Sequence, residues 1–491
     1  MRTSAFSERF DEYGLSDDYS GYQVSGYLGD ALDNGAWYTL AVNRQDATGH
    51  PMQYYTVSAD GDGNFPARAG AGIPVTGVTF DTDPQGRRRA VFGASGGAID
   101  HTKQDQLKLR GGYAFSDVLA AEAFVALWRA DTVNENRTFM RDAQGRAVWS
   151  GQVVADGTRF EVPTGALAPS TREELHLQWG TTVRTTRARG WNASLVYSEY
   201  DVRKDFTLQA NTPDPFAAQG GPGTNTERDG TGWQTFELQG VYTPMPDDWT
   251  GGEHALALGY HQNEYQLENP VYATQDWRSR AGAPVQDVFG QTRLQALYLQ
   301  DQWQFADQWS LTLGARYEDW SAFDGGQRAG VLVQDYPRRR KTAWSPKASL
   351  AYVPDDLWSW RLSFGRGVRF PTVAELFQGT VNVTSITVND PNLKPEVSDS
   401  LDLTVERALP WGRARVSVFQ DDVRDSIFGQ TNITVTPRVT NVQNVDRVRT
   451  RGAEAAFTLA GLGIEALSVE GSVAYARARI LRNDNFPVSV G

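Results

Sequence analysis

The side chains best suited to recognising a ligand are clustered cations beside aromatic rings. Arg338, Arg339, Arg340 and Lys341 form a basic run, with Tyr336 and Trp344 close on either side. Guanidinium groups present planar, multi-donor charge that matches carboxylate, phosphate or catecholate oxygens. Tyr272, Trp277 and Arg278 form a second group, suited either to stacking on a ligand or to packing their own loop. Asp60-Gly61-Asp62-Gly63-Asn64 opens like a calcium loop. Phe65 stands where glycine is needed and Ala71 where the bidentate glutamate belongs, so an ordinary loop is the better reading.

Chemistry that would transform a substrate finds no support. His50, His101, His176, His254 and His261 are scattered. His254 and His261 lie an odd number of residues apart on one strand, hence on opposite faces. Glu173-Glu174 and Asp421-Asp422 are adjacent pairs that also point apart. No nucleophile elbow, phosphate-binding loop or zinc-binding helix motif occurs. With no cysteine there is no disulfide, thiolate metal site or thiol nucleophile. Catalysis, a metal site and a cofactor are therefore not expected, and a net charge of -12 argues against a nucleic-acid partner.

The elements that must hold these residues read as strands. No stretch approaches the roughly 18 apolar residues of a membrane-crossing helix, which excludes a helical membrane protein. A spanning strand needs only about 9–11 residues, half of them polar. Trp309, Leu311, Leu313, Ala315 and Tyr317 alternate with Ser310, Thr312, Gly314, Arg316 and Glu318. Likewise Trp358, Trp360, Leu362 and Phe364 alternate with Ser359, Arg361, Ser363 and Gly365. Hairpins are predicted for 21–29 with 36–44, 106–115 with 119–131, 175–184 with 191–202, and 234–243 with 254–265. Four more pair 294–305 with 309–320, 345–353 with 358–365, 401–407 with 413–423, and 451–459 with 467–477. That gives sixteen strands, or seventeen if 3–13 counts. Every tight turn falls at one end, including Asp33-Asn34-Gly35 and the turn across Pro244-Met245-Pro246-Asp247-Asp248. The long excursions, such as 49–101, fall at the other.

One stretch carries a longer signature. Phe364-Gly365-Arg366-Gly367-Val368-Arg369-Phe370-Pro371-Thr372-Val373-Ala374-Glu375-Leu376-Phe377 is followed by Asp390-Pro391-Asn392-Leu393-Lys394-Pro395-Glu396. It closely resembles the signature of TonB-dependent outer-membrane receptors, with Phe370 where alanine is commoner and Asp390 where asparagine is commoner. The strands holding Leu297 to Trp303, Leu313 to Glu318 and Asn444 to Glu454 resemble family strands too. The likeness is strongest over 294–454.

The resemblance implies an all-β, antiparallel transmembrane β-barrel, with 1–491 an incomplete portion of a 22-stranded barrel. It implies tight periplasmic turns and long extracellular loops in the outer membrane of a Gram-negative bacterium. The implied function is active uptake of a ferric siderophore or similar bulky, scarce solute. Energy would come from the TonB-ExbB-ExbD complex acting through a plug domain not found in this sequence. A non-transporting adhesin or scaffold and a passive porin are the alternatives. Tyr272, Trp277, Tyr336, Arg338, Arg339, Arg340 and Trp344 become candidates for holding an anionic iron chelate. Contact with outer-membrane lipid and lipopolysaccharide is the competing role for the basic run. Arg369, Pro371, Glu375, Asn392, Lys394, Pro395 and Glu396 read as structural, with Pro371 stopping its strand and Arg369 and Glu375 tying the excursion to the wall. Arg316, Glu318, Arg361, Asp402 and Glu406 would face the lumen and its plug. Met1 to Arg9 has no signal-type apolar core and Val488 to Gly491 lacks a terminal aromatic strand, so a fragment is expected.

Overall fold

A computed structural model describes the chain apart from residues 52, 84–85, 246–250, 378–379, 382–384, 433–437, 462–463 and 465. Seventeen long strands follow one another: β1 (Arg2–Glu12), β2 (Leu15–Ala31), β3 (Ala36–Thr48), β4 (Arg88–Ser116), β5 (Leu119–Thr138) and β6 (Ser170–Thr185). Next come β7 (Gly190–Ala210), β8 (Gly232–Thr243), β9 (Glu253–Glu268), β10 (Ala283–Ala306), β11 (Trp309–Ala329) and β12 (Arg339–Asp355). The last are β13 (Trp358–Arg369), β14 (Glu396–Leu409), β15 (Gly412–Asn432), β16 (Arg438–Ala460) and β17 (Ser468–Arg482). Each pairs antiparallel with the next, forming one continuous up-and-down wall.

The wall is apolar on the outside. Leu297 is 60% exposed and Leu313 50% exposed, each in a row of large apolar side chains, while inward-facing Glu318 and Trp320 on β11 are buried. Water on that outer face would be unfavourable over so large an apolar surface, and lipid removes the penalty. Aromatic rings gather near the tight turns: Trp309 stacks on Tyr352 at 4.3 Å, and Trp303 lies 5.2 Å from Phe305. Higher on the same face, Trp344 leans on Tyr317 at 5.1 Å. Two such belts are what a bilayer's two interfaces select. Asp301 breaks the apolar row of β10, and one of its carboxylate oxygens is hydrogen-bonded there to the His254 ring at 2.9 Å, which stacks on Trp303. No helix among the described residues is long and apolar enough to cross a membrane.

Two expectations need correction. A tight turn at Tyr13 and Gly14 joins β1 to β2 at the excursion end, with φ of 51° and 76°. Both values suit a type I′ hairpin turn, so the long-loop end holds one short connection. The excursion expected over 49–101 is also shorter, because β4 begins at Arg88. Its 29 residues would rise about 65 Å at a typical tilt, well beyond the membrane. Of the turn expected across Pro244 to Asp248, positions 246–248 lie outside the described residues.

At the excursion end, chain from before β4 and after β5 builds a packed module. Strand Gly151–Ala155 lies between Thr158–Val162 and Ile73–Pro74 and pairs with both. Phe92, Met140, Val153, Phe160 and Leu167 form its fully buried core.

Candidate functional site

The signature residues meet at the mouth of the wall. Strand β13 ends at Arg369, and buried Pro371, with no N–H to donate, follows it. Thr372 then caps the short helix α1 (Val373–Phe377). Its Oγ accepts the Glu375 amide at 3.2 Å, and Glu375 accepts the Thr372 amide at 2.8 Å, a reciprocal capping box. Arg369 donates to both Glu375 oxygens, at 2.9 and 3.0 Å, and also to Glu396. The other Glu396 oxygen accepts the Ser426 hydroxyl at 3.0 Å and the Ile427 amide. One carboxylate thereby fastens β13, β14 and β15 together, with α1 attached through Arg369.

Alternation puts Trp320 on the inner face, so α1 docks inside the mouth. Val373, Leu376 and Phe377 are buried against Leu267, Val288, Trp320 and Leu393. Phe377 also lies over Gly325, where an added Cβ would stand 2.3 Å from the ring. The second half of the signature seals the helix from beside. Asp390 accepts the Asn392 amide at 2.8 Å, leaving the Asn392 side chain exposed. The Lys394 amide donates to Asn444 at 2.8 Å, and Asn444 donates back to the Lys394 carbonyl at 3.0 Å. The Lys394 ammonium lies 3.3 Å from Asp425, and Pro395 is half-buried between Lys394 and Glu396.

The structure separates the residues that the sequence grouped as a ligand site. Tyr336 stacks on Phe377 at 4.6 Å, within the α1 core. Arg339 points inward and donates to the carbonyls of Pro391 and Leu393, the latter at 2.9 Å. Arg340 points outward and holds Asp319 at 2.8 Å. Arg338 lies over Phe323, 5.3 Å from the ring centre, on that same outer face. Trp344, 62% exposed, belongs to the outer aromatic row. A strand's period of two sends neighbouring side chains to opposite faces, so this basic run is not one patch.

In the second group, Trp277 packs the loop. It is buried with Phe206, Leu208 and Ala217, and its indole N–H donates to the Ala217 carbonyl at 2.8 Å. Arg278 lies over it at 5.5 Å and donates to the Ala218 carbonyl. Tyr272 sits in strand Val271–Thr274, opposite Asn225. Asp60, first residue of the calcium-like run, closes its own turn by accepting the amides of Asp62 and Asn64 at 3.0 and 2.8 Å.

Sequence reading missed the polar ties that anchor the module beside β1. Tyr13 donates to Asp81 at 2.9 Å, and Arg89 clamps Asp81 through two hydrogen bonds. The Arg89 guanidinium holds the Asp81 carboxyl below the usual carboxylate range, and the bond to Asp81 pushes the Tyr13 phenol up. Burial, then Glu12, pushes Tyr54 up to about 12. No local motif marks these pairs, since Tyr13 and Asp81 stand 68 positions apart.

A lipid-facing antiparallel wall with a signature-bearing helix in its mouth defines a class of outer-membrane receptor barrels. Residues 3–490 match the family model described as TonB dependent receptor-like, beta-barrel, and the chain belongs to that family. It is similar to the iron-regulated outer membrane virulence protein of Vibrio cholerae serotype O1, 24% identical over 224 residues. That match covers 42% of this chain and 30% of the Vibrio protein. Among solved structures it is similar to the unliganded ferric citrate transporter FecA, with a TM-score of 0.61 and 14% identity, over 98% of this chain and 59% of FecA. The copper transporter OprC gives 0.58 and 14%, covering 98% and 61%. The siderophore receptor PirA from Pseudomonas aeruginosa gives 0.56 and 11%, covering 98% and 66%. The chain therefore spans less than two thirds of these structures and under one third of the Vibrio relative.

Proposed function

We propose that this chain is the wall of an outer-membrane receptor that takes up a scarce, bulky solute, with an anionic iron chelate such as a ferric siderophore as cargo. Membership of the family over residues 3–490 is the observation that carries the reading. The energy would come through TonB-ExbB-ExbD, and lipopolysaccharide would meet the outward Arg338 and Arg340. Iron is favoured because a relative is iron-regulated and two structural neighbours handle ferric citrate or siderophores. The packed mouth, with α1 and the excursion module folded over the wall, speaks against a passive porin, whose lumen is an open aqueous channel.

The test is uptake. Cells expressing the whole receptor should accumulate radioactive iron from one ferric chelate, and deleting TonB should abolish that accumulation. Uptake indifferent to TonB would sink the active-transport reading. TonB-dependent uptake of cobalamin or a sugar, with none of iron, would keep the transport and replace the cargo.

A further inference from the structure

We propose that Glu174, His176 and Asp205 form a binding site for a first-row divalent metal ion on the inner wall above the membrane belt. This site does not depend on which cargo the receptor carries. On β6 the outward row holds Leu175, Leu177 and exposed Trp179, so Glu174 and His176 face inward. Asp205 stands directly across from Glu174 on β7. The register slips between Leu175 and His176, where His176 pairs with Val202 instead of Arg203. A bulge of this kind re-aims side chains, and here one donor atom from each of the three residues comes within 4.8 Å of the others.

The imidazole supplies the independent sign of a ligand. His176 Nδ1 is hydrogen-bonded to the Tyr200 hydroxyl, whereas Nε2 is shut off from solvent with no partner. When Nδ1–H donates to Tyr200, Nε2 carries the lone pair that a metal takes, and the Tyr200 contact holds the ring in place. Trp128 packs on the ring at 4.8 Å, and Trp233 stacks on Tyr200 at 4.1 Å. Both carboxylates are buried, Glu174 at 8% and Asp205 at 3% exposed, so they require a cation.

At present Arg172 is that cation. It lies 2.8 Å from Glu174 and 2.8 Å from Asp205, while Arg228 reaches Asp205 from the other side at 3.3 Å. The Asp229 carboxylate faces the group too, but accepts the Asp205 amide at 2.7 Å. Arg172 donates twice to Asp205, at 3.0 and 2.8 Å, and its side chain is 41% exposed, so solvent is there to receive the guanidinium when a metal displaces it. An ion about 2.0–2.2 Å from each donor would draw the three together by small side-chain rotations. One imidazole and two carboxylates suit zinc, nickel or copper(II) over magnesium or calcium, and three ligands leave a position open to water. Guanidinium and metal compete for the same two carboxylates.

Zinc alone, titrated calorimetrically into the purified whole receptor, tests this. One equivalent should bind saturably, and His176→Gln and Glu174→Gln should each weaken binding about tenfold or more. Arg172→Gln should tighten binding, because it removes the competitor, and His101→Gln should leave it unchanged. Copper(II) should quench tryptophan fluorescence through Trp128 in wild type and not in His176→Gln. Heat-modifiable migration of each variant would confirm that it folds. The proposal is overturned if folded His176→Gln binds zinc as wild type does, or if no stoichiometric binding occurs. It is also overturned if Arg172→Gln weakens binding, which would make the cluster an ion pair only.

Discussion

Glu396 ties three strands of the mouth together through one carboxylate. It receives Arg369, the Ser426 hydroxyl and the Ile427 amide on a side chain only 16% exposed. Truncation leaves the Ser426 hydroxyl and the Ile427 amide without their acceptor, while Arg369 keeps Glu375, and polar groups left unsatisfied in this way cost about 1–3 kcal/mol. Glu396→Ala should therefore lower the receptor's unfolding free energy by that amount, read as a lower denaturant midpoint at unchanged slope, with Glu396→Gln intermediate because its amide oxygen still accepts. Equal stability of Glu396→Ala and wild type would remove this role. Asp81 supports a pH prediction. Its carboxyl is held below its ordinary value by Arg89, so its stabilising contribution is present above the unfolded pKa of about 3.9. The contribution is lost as pH falls through the lower, folded value. Proteolysis at the β1–β2 turn and the excursion module should rise on acidification below about pH 4, with an acid-stable protease as probe. Asp81→Asn should be equally susceptible at neutral and acid pH.

Among the elements, α1 is short and owes its placement to the side chains it buries, Val373, Leu376 and Phe377. Five residues cannot hold a helix by backbone bonds alone, so α1 depends on its capping box and on Phe377. Phe377→Ala should cost about 3–5 kcal/mol locally. Hydrogen exchange at 373–377 should accelerate while protection in β10 and β11 stays unchanged. Gly325→Ala should act the same way from the opposite side, since its Cβ would enter the ring's space. Spread of the faster exchange into β10 and β11 would show α1 to be part of the wall's own stability. This helix also marks where the sequence was hard to read. A five-residue segment shows no 3.6-residue period, and Thr372 with Glu375 was its only local signal. Strands with clean alternation, such as Trp309 to Tyr317, were legible from the sequence, as was the turn at Asn34-Gly35. The start of β4 was hidden by its run of small residues from Gly93 to Gly97, which reads as loop. Tyr13 hid the first turn, because asparagine is the usual residue at that positive φ. Residues 336–344 were legible as chemistry but not as geometry. The strand expected from 345 begins at Arg339, and that earlier start sets the alternation that points Arg339 inward and Arg340 outward.

For the molecule as a whole, the decisive property is that its apolar surface lies outside. Leu313 stands midway along the outer row between the girdle residues Trp309 and Tyr317, which places it near the middle of the bilayer. Thr312, one position earlier, faces the lumen. An arginine on the lipid face at the midplane costs about 2–4 kcal/mol, whereas a lumen position already meets water. Leu313→Arg should therefore reduce the stability of the receptor in lipid bilayers by that amount, and Thr312→Arg should leave it nearly unchanged. In a water-facing sheet the order would differ, because an exposed leucine replaced by arginine costs little. The comparison holds strand, local sequence and introduced charge constant and varies only the face, so it isolates the solvent on each side of the wall. Equal stability of the two variants in bilayers would remove the lipid from that face, and with it the outer-membrane assignment.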